Sequence, residues 1–217
     1  MEQRSIEWLQ TRCGKVTASR VADIIAKTKT GPSASRKNYE AQLIAERLTG
    51  CVDEGYSNAA MQWGIDKELD ARAAYAFMHG QDVAEIGFID HPRINWSGAS
   101  PDGLVGARGL VEIKCPNTAT HLDTLINNGV AGKYITQMQW QMACAERDWC
   151  DFVSYDPRLP ESMALFVKRI DRDDAMIRTL EAEVSEFLDG VAGAVDRLRS
   201  LYEPNEGDNL VRLLRAG

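Results

Sequence analysis

The 217-residue sequence contains no apolar run long enough to span a bilayer, and residues 1–7 (MEQRSIE) are too charged for a secretory signal. Its five cysteines are odd in number and include no Cys-x-x-Cys pair, which argues against a disulfide framework and against a zinc ribbon. It also contains no internal repeat and no low-complexity tract. We therefore expect a soluble, cytoplasmic protein with no membrane partner and with reduced, mostly buried thiols.

An excess of positive charge is also missing, because the formal net charge is -7. The charge is unevenly distributed: residues 1–40 hold eight Lys or Arg and four Asp or Glu, a local +4 that leaves -11 for the rest of the chain. A protein with this balance would bind nucleic acid through a lined channel rather than by general attraction. Metal-binding carboxylates would account for part of the negative charge.

The length and the hydrophobic content of 44% suit a single core, so we expect one domain over residues 1–217 with a polar tail from about residue 203. Turn and periodicity signals give the order helices, strands, helices, strands, helix. This order predicts an α/β fold with a restriction-endonuclease-like core, in which helices flank a central mixed β-sheet.

The most informative stretch is residues 100–116 (SPDGLVGARGLVEIKCP). Asp102 follows a proline, and Glu112 and Lys114 are two residues apart in an apolar run, so a strand would place them on one face. If residues 106–108 form a three-residue hairpin loop, Asp102 lies opposite Glu112. A four-residue loop would put the two carboxylates on opposite faces of the sheet.

Two converging carboxylates repel each other unless a cation neutralises them, and hard oxygen ligands suit Mg²⁺ or Mn²⁺ better than zinc. A neighbouring lysine such as Lys114 is able to hold an attacking water and to offset developing negative charge. This combination favours phosphodiester hydrolysis. The alternative is a solvated strand face on which Glu112 and Lys114 form a weak ion pair.

A second candidate site lies near the N-terminus, where Thr17 has the position of an N-cap for a helix over Ala18–Ala26. The start of that helix, with the Ser19 hydroxyl, Arg12 before it and Lys29 after it, has the composition of a phosphate pocket. The alternative is an ordinary helix cap with solvated cations.

The remaining elements follow from caps, glycines and periodicity. Ser5 is predicted to cap a short helix, Gly50 to end another and Asn58 to cap a third. The helix that Gly50 ends is predicted over Ser35–Leu48, and the helix that Asn58 caps is predicted to end at His79. Further helices are predicted over Thr118–Asn127, Gly132–Arg147 and Asp173–Tyr202. The predicted strands are Val83–Asp90, Ile94–Ala99, Trp149–Tyr155 and Met163–Ile170.

Three polar residues on these helices have two interpretations each. Glu68 belongs to a charged outer helix face or is a third carboxylate that reaches the metals. Gln137 and Gln141 share a helix face that is either close to DNA or, as the simpler expectation, solvated.

Several motifs in order resemble the bacteriophage lambda exonuclease (YqaJ-type viral recombinase) family, within the restriction-endonuclease-like superfamily marked by Pro-Asp and then Glu-x-Lys. The resemblance covers nearly the whole chain. The matching segments are Trp8–Arg12, Val16–Arg20, Trp63–Glu68, Ser100–Gly103, Leu110–Pro116, Gln137–Gln139 and Tyr155–Arg158.

The resemblance implies a Mg²⁺-dependent 5'-to-3' exonuclease that degrades one strand of linear double-stranded DNA to mononucleotides and leaves a 3' overhang for strand annealing. It implies a ring-shaped homotrimer and a single-strand-annealing recombinase as partner. By this likeness Asp102, Glu112 and the backbone carbonyl of Ile113 would hold two metal ions, for which Mn²⁺ would substitute. Glu68 would support the ions, and Lys114 would position the nucleophilic water.

The same likeness places the pocket for the 5'-phosphate at Arg12, Ser19 and Lys29, with lysine where the family usually has arginine. A lysine supplies a point charge without the planar fork of a guanidinium. Thr17, Met61 and Gln137 match further positions near DNA, where Met61 would wedge into the duplex end. The competing functions are a restriction- or repair-type endonuclease with the same core, and a DNA-end-binding protein without catalysis.

Overall fold

The computed structural model describes residues 2–29, 31–52 and 59–203, apart from the side chains at positions 60 and 61. Across these ranges no helix is both long enough and apolar enough to cross a membrane. The helices are α1 (Ile6–Arg12), α2 (Val21–Ile25), α3 (Ala34–Thr49), α4 (Ala59–His79), α5 (Thr118–Asn127), α6 (Gly132–Ala145), α7 (Glu161–Ala164) and α8 (Asp174–Tyr202). The strands are β1 (Val16–Thr17), β2 (Lys27–Thr28), β3 (Gly31–Pro32), β4 (Val83–Ala84), β5 (Ile89–Asp90), β6 (Ser97–Ala99), β7 (Gly103–Val105), β8 (Gly109–Lys114), β9 (Trp149–Tyr155) and β10 (Leu165–Asp171).

The central sheet has five strands in the order β10-β9-β8-β7-β4. Strands β8 and β9 run parallel, and the other neighbouring pairs run antiparallel. A parallel pair requires a crossover connection, which helices α5 and α6 provide between β8 and β9. The sheet is therefore mixed and flanked by helices, which confirms the predicted fold class.

Both faces of the central sheet are covered. On one face Val111 and Val153 pack with Tyr75 of α4, and on the other Leu110 and Met138 belong to a cluster that α6 completes. Each such apolar side chain contributes roughly 1.5–3 kcal/mol when fully buried. Strand β8 is consequently the most enclosed element of the sheet, with five of its six residues buried.

A second core lies among helices α2, α3, α6 and α8, away from the central sheet. Tyr39 of α3 stacks on Phe187 of α8 with ring centroids 5.7 Å apart. The stripe that includes Val184 and Val191 buries one side of α8, which continues without a break through Gly190 and Gly193. Packing of this stripe offsets the low helix propensity of the two glycines.

The hairpin of β7 and β8 has the predicted register. Gly103 pairs with Val111 and Val105 with Gly109, so residues 106–108 are the loop. Gly106 takes the left-handed conformation (φ 53°) that glycine adopts without strain. Continuing this register by one residue sets Asp102 opposite Glu112, as the three-residue loop predicts.

Several helix signals are confirmed. The Ser5 side chain accepts a hydrogen bond from the backbone N–H of Trp8, and Gly50 ends α3 with φ 68°. Helix α3 begins slightly earlier than predicted because Ser33 is its cap. The predicted cap at Asn58 lies outside the described part of the chain, as does the tail beyond residue 203.

Other element predictions are wrong in detail. Thr17 caps no α-helix: it lies in β1, makes no side-chain capping bond, and precedes a 3₁₀ turn over Ala18–Arg20 before α2 starts. The predicted strand Val83–Asp90 is two short strands in different sheets, since β4 pairs with β7 and β5 pairs with β6. The predicted strand over Ile94–Ala99 shortens to Ser97–Ala99, because the residues before it form a turn in which Trp96 has φ 62°.

Candidate functional site

A cleft of about 770 Å³ opens where the β7–β8 hairpin meets helices α4 and α6. Five separate stretches of the chain line it, and they include Glu68, Asp102 and Ile113 of the predicted metal site, whereas Glu112 is not in the lining. The predicted residues that line the cleft are Ser19, Glu68, Asp102, Ile113, Lys114 and Gln137.

Asp102 is fixed against β8 by a short hydrogen bond, in which its Oδ2 accepts the backbone N–H of Ile113 at 2.6 Å. Burial raises the pKa of Asp102 well above its usual range, and the neighbouring charges of Glu112 and Glu68 raise it further. Lys114 and the Ile113 N–H only partly oppose this shift. The carboxyl therefore lies where a bound cation would strongly favour its ionised form.

Glu112 is 1% exposed, and both of its oxygens accept hydrogen bonds from α6. Gln137 donates to Oε1 and Gln141 donates to Oε2, each at 2.6 Å. The expectation of a solvated glutamine face is therefore wrong, because both glutamines are buried and point at the sheet. Buried charge requires such donors, so α6 supplies what water would supply at a surface.

Lys114 completes the group by forming an ion pair with Glu112. Burial alone would lower the pKa of Lys114, but the carboxylates of Glu112 and Asp102 raise it above its ordinary value. Lys114 is therefore a charged ammonium that faces the cleft. Because it is charged, it suits the holding of a water or a phosphate oxygen better than the removal of a proton.

Glu68 reaches the same cleft from α4. Its Oε1 accepts from Arg72 at 2.8 Å and its Oε2 accepts from Arg4 at 2.5 Å. The ion pair with Arg72 is of the kind expected on a charged helix face, and Glu68 also lines the cleft that Asp102 lines.

The N-terminal segment holds the hairpin from outside. Trp8 Nε1 donates to Ser100 Oγ at 2.9 Å, and Gln3 Nε2 donates to the carbonyl oxygen of Pro101 at 2.8 Å. These two contacts fix the residues immediately before Asp102. The position of the carboxylate thus depends on residues about ninety positions away in sequence.

A smaller pocket of about 190 Å³ lies beside the main cleft, and Arg12, Thr17 and Ser19 line it. Ser19 lines both cavities, so they adjoin. The Arg12 guanidinium stacks on the Trp8 ring with Cζ 3.8 Å from the ring centroid, and its buried Nε has no hydrogen-bond partner within the described ranges. Burial lowers the pKa of Arg12. An anion would supply the missing partner.

The remaining predicted contact residues are less informative. Lys29 is exposed in the turn between β2 and β3 and does not line either cavity. The structure therefore does not bring it to Arg12 and Ser19. Met61 lies in α4, but its side chain is outside the part of the structure that is described.

The carboxylate cluster fits a hard divalent cation. Within residues 2–29, 31–52 and 59–203, no three Asp, Glu, His or Cys side chains converge closely enough to hold a metal by themselves. Mg²⁺, however, is usually held by one or two carboxylates and keeps several waters. Asp102 and Ile113 line the cleft, and Glu112 lies opposite Asp102 in the hairpin register, so the two carboxylates and the Ile113 carbonyl are ligands of that kind.

The fold and the cluster together define an α/β protein whose mixed sheet carries its candidate metal-binding carboxylates on a hairpin. Residues 7–148 match the model of the YqaJ-like viral recombinase domain. The chain belongs to this family. The predicted family resemblance is thus confirmed.

Solved structures agree with this assignment. The chain is 54% identical to LHK-Exo, solved in complex with dAMP, with a TM-score of 0.86 over 90% of this chain and 97% of that chain. It is 53% identical, over the same shares and with a TM-score of 0.85, to a second structure of this alkaline exonuclease from Laribacter hongkongensis. A phage-related exonuclease from Haemophilus somnus 129PT has the same fold, with 17% identity and a TM-score of 0.70 over 85% of this chain and 96% of that chain.

A viral relative is also similar. The uncharacterized protein R354 of Acanthamoeba polyphaga mimivirus is 26% identical over 186 residues, which are 77% of this chain and 31% of that protein. The chain therefore spans about a third of the length of this relative.

Proposed function

We propose that the chain is a metal-dependent 5'-to-3' exonuclease that degrades one strand of linear double-stranded DNA to mononucleotides. The observation that carries the proposal is that Asp102 and Lys114, the latter paired with Glu112, line a cleft that adjoins the Arg12 pocket through Ser19. The similarity to LHK-Exo supports it, because that alkaline exonuclease was solved with dAMP, a deoxynucleoside monophosphate.

In this proposal Asp102, Glu112 and the Ile113 carbonyl hold two Mg²⁺ ions, or Mn²⁺ in their place, and Glu68 supports them. When bound, such ions activate water and stabilise the charge that develops on the phosphate. Lys114 holds the attacking water beside the cluster. Gln137 and Gln141 fix both oxygens of Glu112 and so keep the carboxylate in one orientation.

Arg12 and Ser19 bind the terminal 5'-phosphate in the adjoining pocket, with Thr17 beside them. A half-buried guanidinium with an unpartnered Nε–H is a strong donor to phosphate. Binding the end in one cavity would place the first phosphodiester in the other, which limits attack to the terminus. Lys29 as a third cation for the 5'-phosphate and Met61 as a wedge in the duplex end are proposed on the strength of the family likeness alone.

The product would be a duplex with a 3' single-stranded overhang, which a single-strand-annealing recombinase would use in homologous recombination. We place the protein in the cytoplasm, as one domain over residues 1–217 that assembles into a homotrimer ring. Light scattering tests the assembly: we expect three times the 24.1 kDa chain mass, and a monomer would contradict the ring.

One plasmid, presented linear with 5'-phosphates and covalently closed, tests the activity. In Mg²⁺ we expect loss of the linear form with release of acid-soluble nucleotide, and no cutting of the closed form. EDTA should abolish the activity. Fragments from the closed form would identify an endonuclease, and end binding without nucleotide release would identify a non-catalytic protein.

Polarity needs a separate label. A linear duplex labelled at the 5' end should release its label in the first turnovers, whereas a 3' label should remain in acid-insoluble material until late. The reverse order would contradict the proposed direction.

A further inference from the structure

Arg4 is a cation at the mouth of the main cleft that the proposed function does not use. It lines this cleft together with Asp102 and Lys114, and its backbone has φ 70°, in the left-handed region that non-glycine residues rarely adopt. Such conformations persist only where the surroundings impose them. The structure therefore holds Arg4 in place against its own backbone preference.

Both neighbours of Arg4 in sequence impose this geometry. Gln3 Nε2 donates to the carbonyl oxygens of Ile86 and Pro101, at 2.8 Å each. Ser5 caps α1 by accepting from the N–H of Trp8 at 3.1 Å. With the chain fixed on either side, the Arg4 side chain extends over the cleft toward Glu68.

Glu68 forms two ion pairs, and the one with Arg4 is the weaker and the more easily broken. Arg72 also binds Glu68, its side chain is 13% exposed, and it holds Glu85 as well. The Arg4 side chain is 48% exposed, so its pair is screened by solvent and weak. Glu68 thus keeps a buried cationic partner when Arg4 leaves.

A guanidinium suits a phosphodiester better than it suits a shared carboxylate. It has five N–H donors in a rigid fork, and the pair with Glu68 uses the Nη2 end. The other cluster cation, Lys114, is already paired with the buried Glu112. Lys133 also lines the cleft, but its ammonium lacks the planar fork, so Arg4 is the cleft guanidinium that a DNA backbone would meet with donors to spare.

We propose that Arg4 binds a backbone phosphate of the DNA strand in the cleft and releases Glu68 as it does so. This inference rests on the proposed function. Arg4 is then a DNA-binding residue, and the arginine–glutamate pair is its resting position in the free protein.

The test is the salt dependence of DNA binding by the variant Arg4→Gly, because glycine keeps φ 70° without strain while removing the cation. Affinity for a 5'-phosphorylated duplex is measured by fluorescence anisotropy in Ca²⁺ at several salt concentrations. The loss of one phosphate contact should lower the slope of log K against log salt by about 0.9. We also expect Kd to rise about tenfold at moderate salt.

The matched control is Arg93→Ala. Arg93 is 62% exposed, also pairs with one glutamate at 2.5 Å, and does not line the cleft. The Arg93→Ala variant removes the same net charge as Arg4→Gly, but its slope of log K against log salt should stay that of the wild type. A second variant, Arg4→Lys, should retain most of the slope and lose part of the affinity, since it keeps the charge without the fork.

An unchanged slope and Kd in Arg4→Gly, with or without a lower kcat, would overturn the inference, because Arg4 would then only hold Glu68. An equal change in Arg93→Ala would also overturn it, because the effect would be one of net charge. If the wild type itself failed to bind duplex ends, the proposed function would fail. These outcomes keep the two proposals apart.

Discussion

The two glutamines that bind Glu112 allow a matched test of how the buried carboxylate is held. Replacing either by methionine preserves the length of the side chain and removes one N–H donor. A hydrogen bond to a charged group contributes roughly 1.5–3 kcal/mol, so both variants lose about 2 kcal/mol from this contact alone. The two variants differ in the environment of the amide oxygen, Oε1, that each substitution removes.

The Gln141 side chain is fully buried, and its Oε1 has no hydrogen-bond partner within the described ranges. An unsatisfied buried acceptor costs roughly 1–3 kcal/mol, which Gln141→Met removes. Gln137 is 9% exposed and lines the cleft, where water reaches its amide, so Gln137→Met gains no such relief. We expect Gln141→Met to change the free energy of unfolding by less than about 1 kcal/mol, and Gln137→Met to lower it by about 2 kcal/mol.

Urea denaturation of the two variants and the wild type measures these free energies. Nucleotide release by both variants should fall by about tenfold or more, because Gln141→Met leaves Oε2 of Glu112 without a donor and Gln137→Met leaves Oε1 with Lys114 alone. A loss of stability in Gln141→Met equal to that in Gln137→Met would refute the reasoning about the unpartnered oxygen. Wild-type turnover in both would show that the glutamines do not orient Glu112 for catalysis.

Three further predictions concern the phosphate pocket, acid stability and packing. Arg12→Ala should lower kcat/KM on 5'-phosphorylated ends by about tenfold or more, since only the phosphate meets the guanidinium. The kcat/KM on 5'-hydroxyl ends should not change, and an equal loss on both kinds of end would contradict this prediction. Burial opposes the shift, but hydrogen bonds from Arg158 and a neighbouring threonine lower the pKa of Asp156 to about 2. The lowered pKa contributes at most about 2 kcal/mol to the free energy of unfolding, and this contribution is present above about pH 4 and lost as pH falls toward 2. Urea unfolding at several pH values should show the loss in the wild type and not in Asp156→Asn. Finally, a methyl group at Gly98 would clash with the backbone carbonyl of the neighbouring strand, whereas one at Gly193 in α8 meets open space. Gly98→Ala should therefore lower Tm, and Gly193→Ala should raise it, because alanine stabilises a helix by roughly 0.5–1 kcal/mol relative to glycine. The opposite order of Tm values would contradict the packing described.

The carboxylate pair was predictable because its geometry is local. A glycine-punctuated loop of three residues and the two-residue period of strands place Asp102 opposite Glu112, and the structure has that register. Strand faces also grouped Glu112 with Lys114. What periodicity did not show is that this face is buried, since the cover comes from α6, which follows a separate helix.

The roles of the α6 glutamines could not be read from spacing. Gln137 and Gln141 share a face at i,i+4, but their neighbours Met138, Trp140 and Met142 are also buried, so the helix has no solvated side in this stretch. Met138 and Trp140 lie on opposite sides of the helix, and apolar residues on opposite sides indicate burial, so this signal was available. Gln141 was nevertheless not identified as a site residue.

Contacts between distant segments were beyond sequence reasoning. Arg4 meets Glu68 across 64 positions, and Trp8 meets Ser100 across 92. No local pattern specifies such pairs, because they depend on how α1 and α4 pack around the hairpin. The Thr17 cap failed for the same reason, because the pairing of β1 with β6 makes Thr17 a strand residue.

The proposed function requires the cluster around Asp102 to hydrolyse DNA, and Mg²⁺-dependent release of acid-soluble nucleotide from a linear duplex by Asp102→Asn tests this requirement. Its matched control is Asp123→Asn, on the exposed surface of α5. We predict at least a hundredfold loss of release in Asp102→Asn, with end binding in Ca²⁺ retained, and wild-type release in Asp123→Asn. Full release by Asp102→Asn would contradict the account.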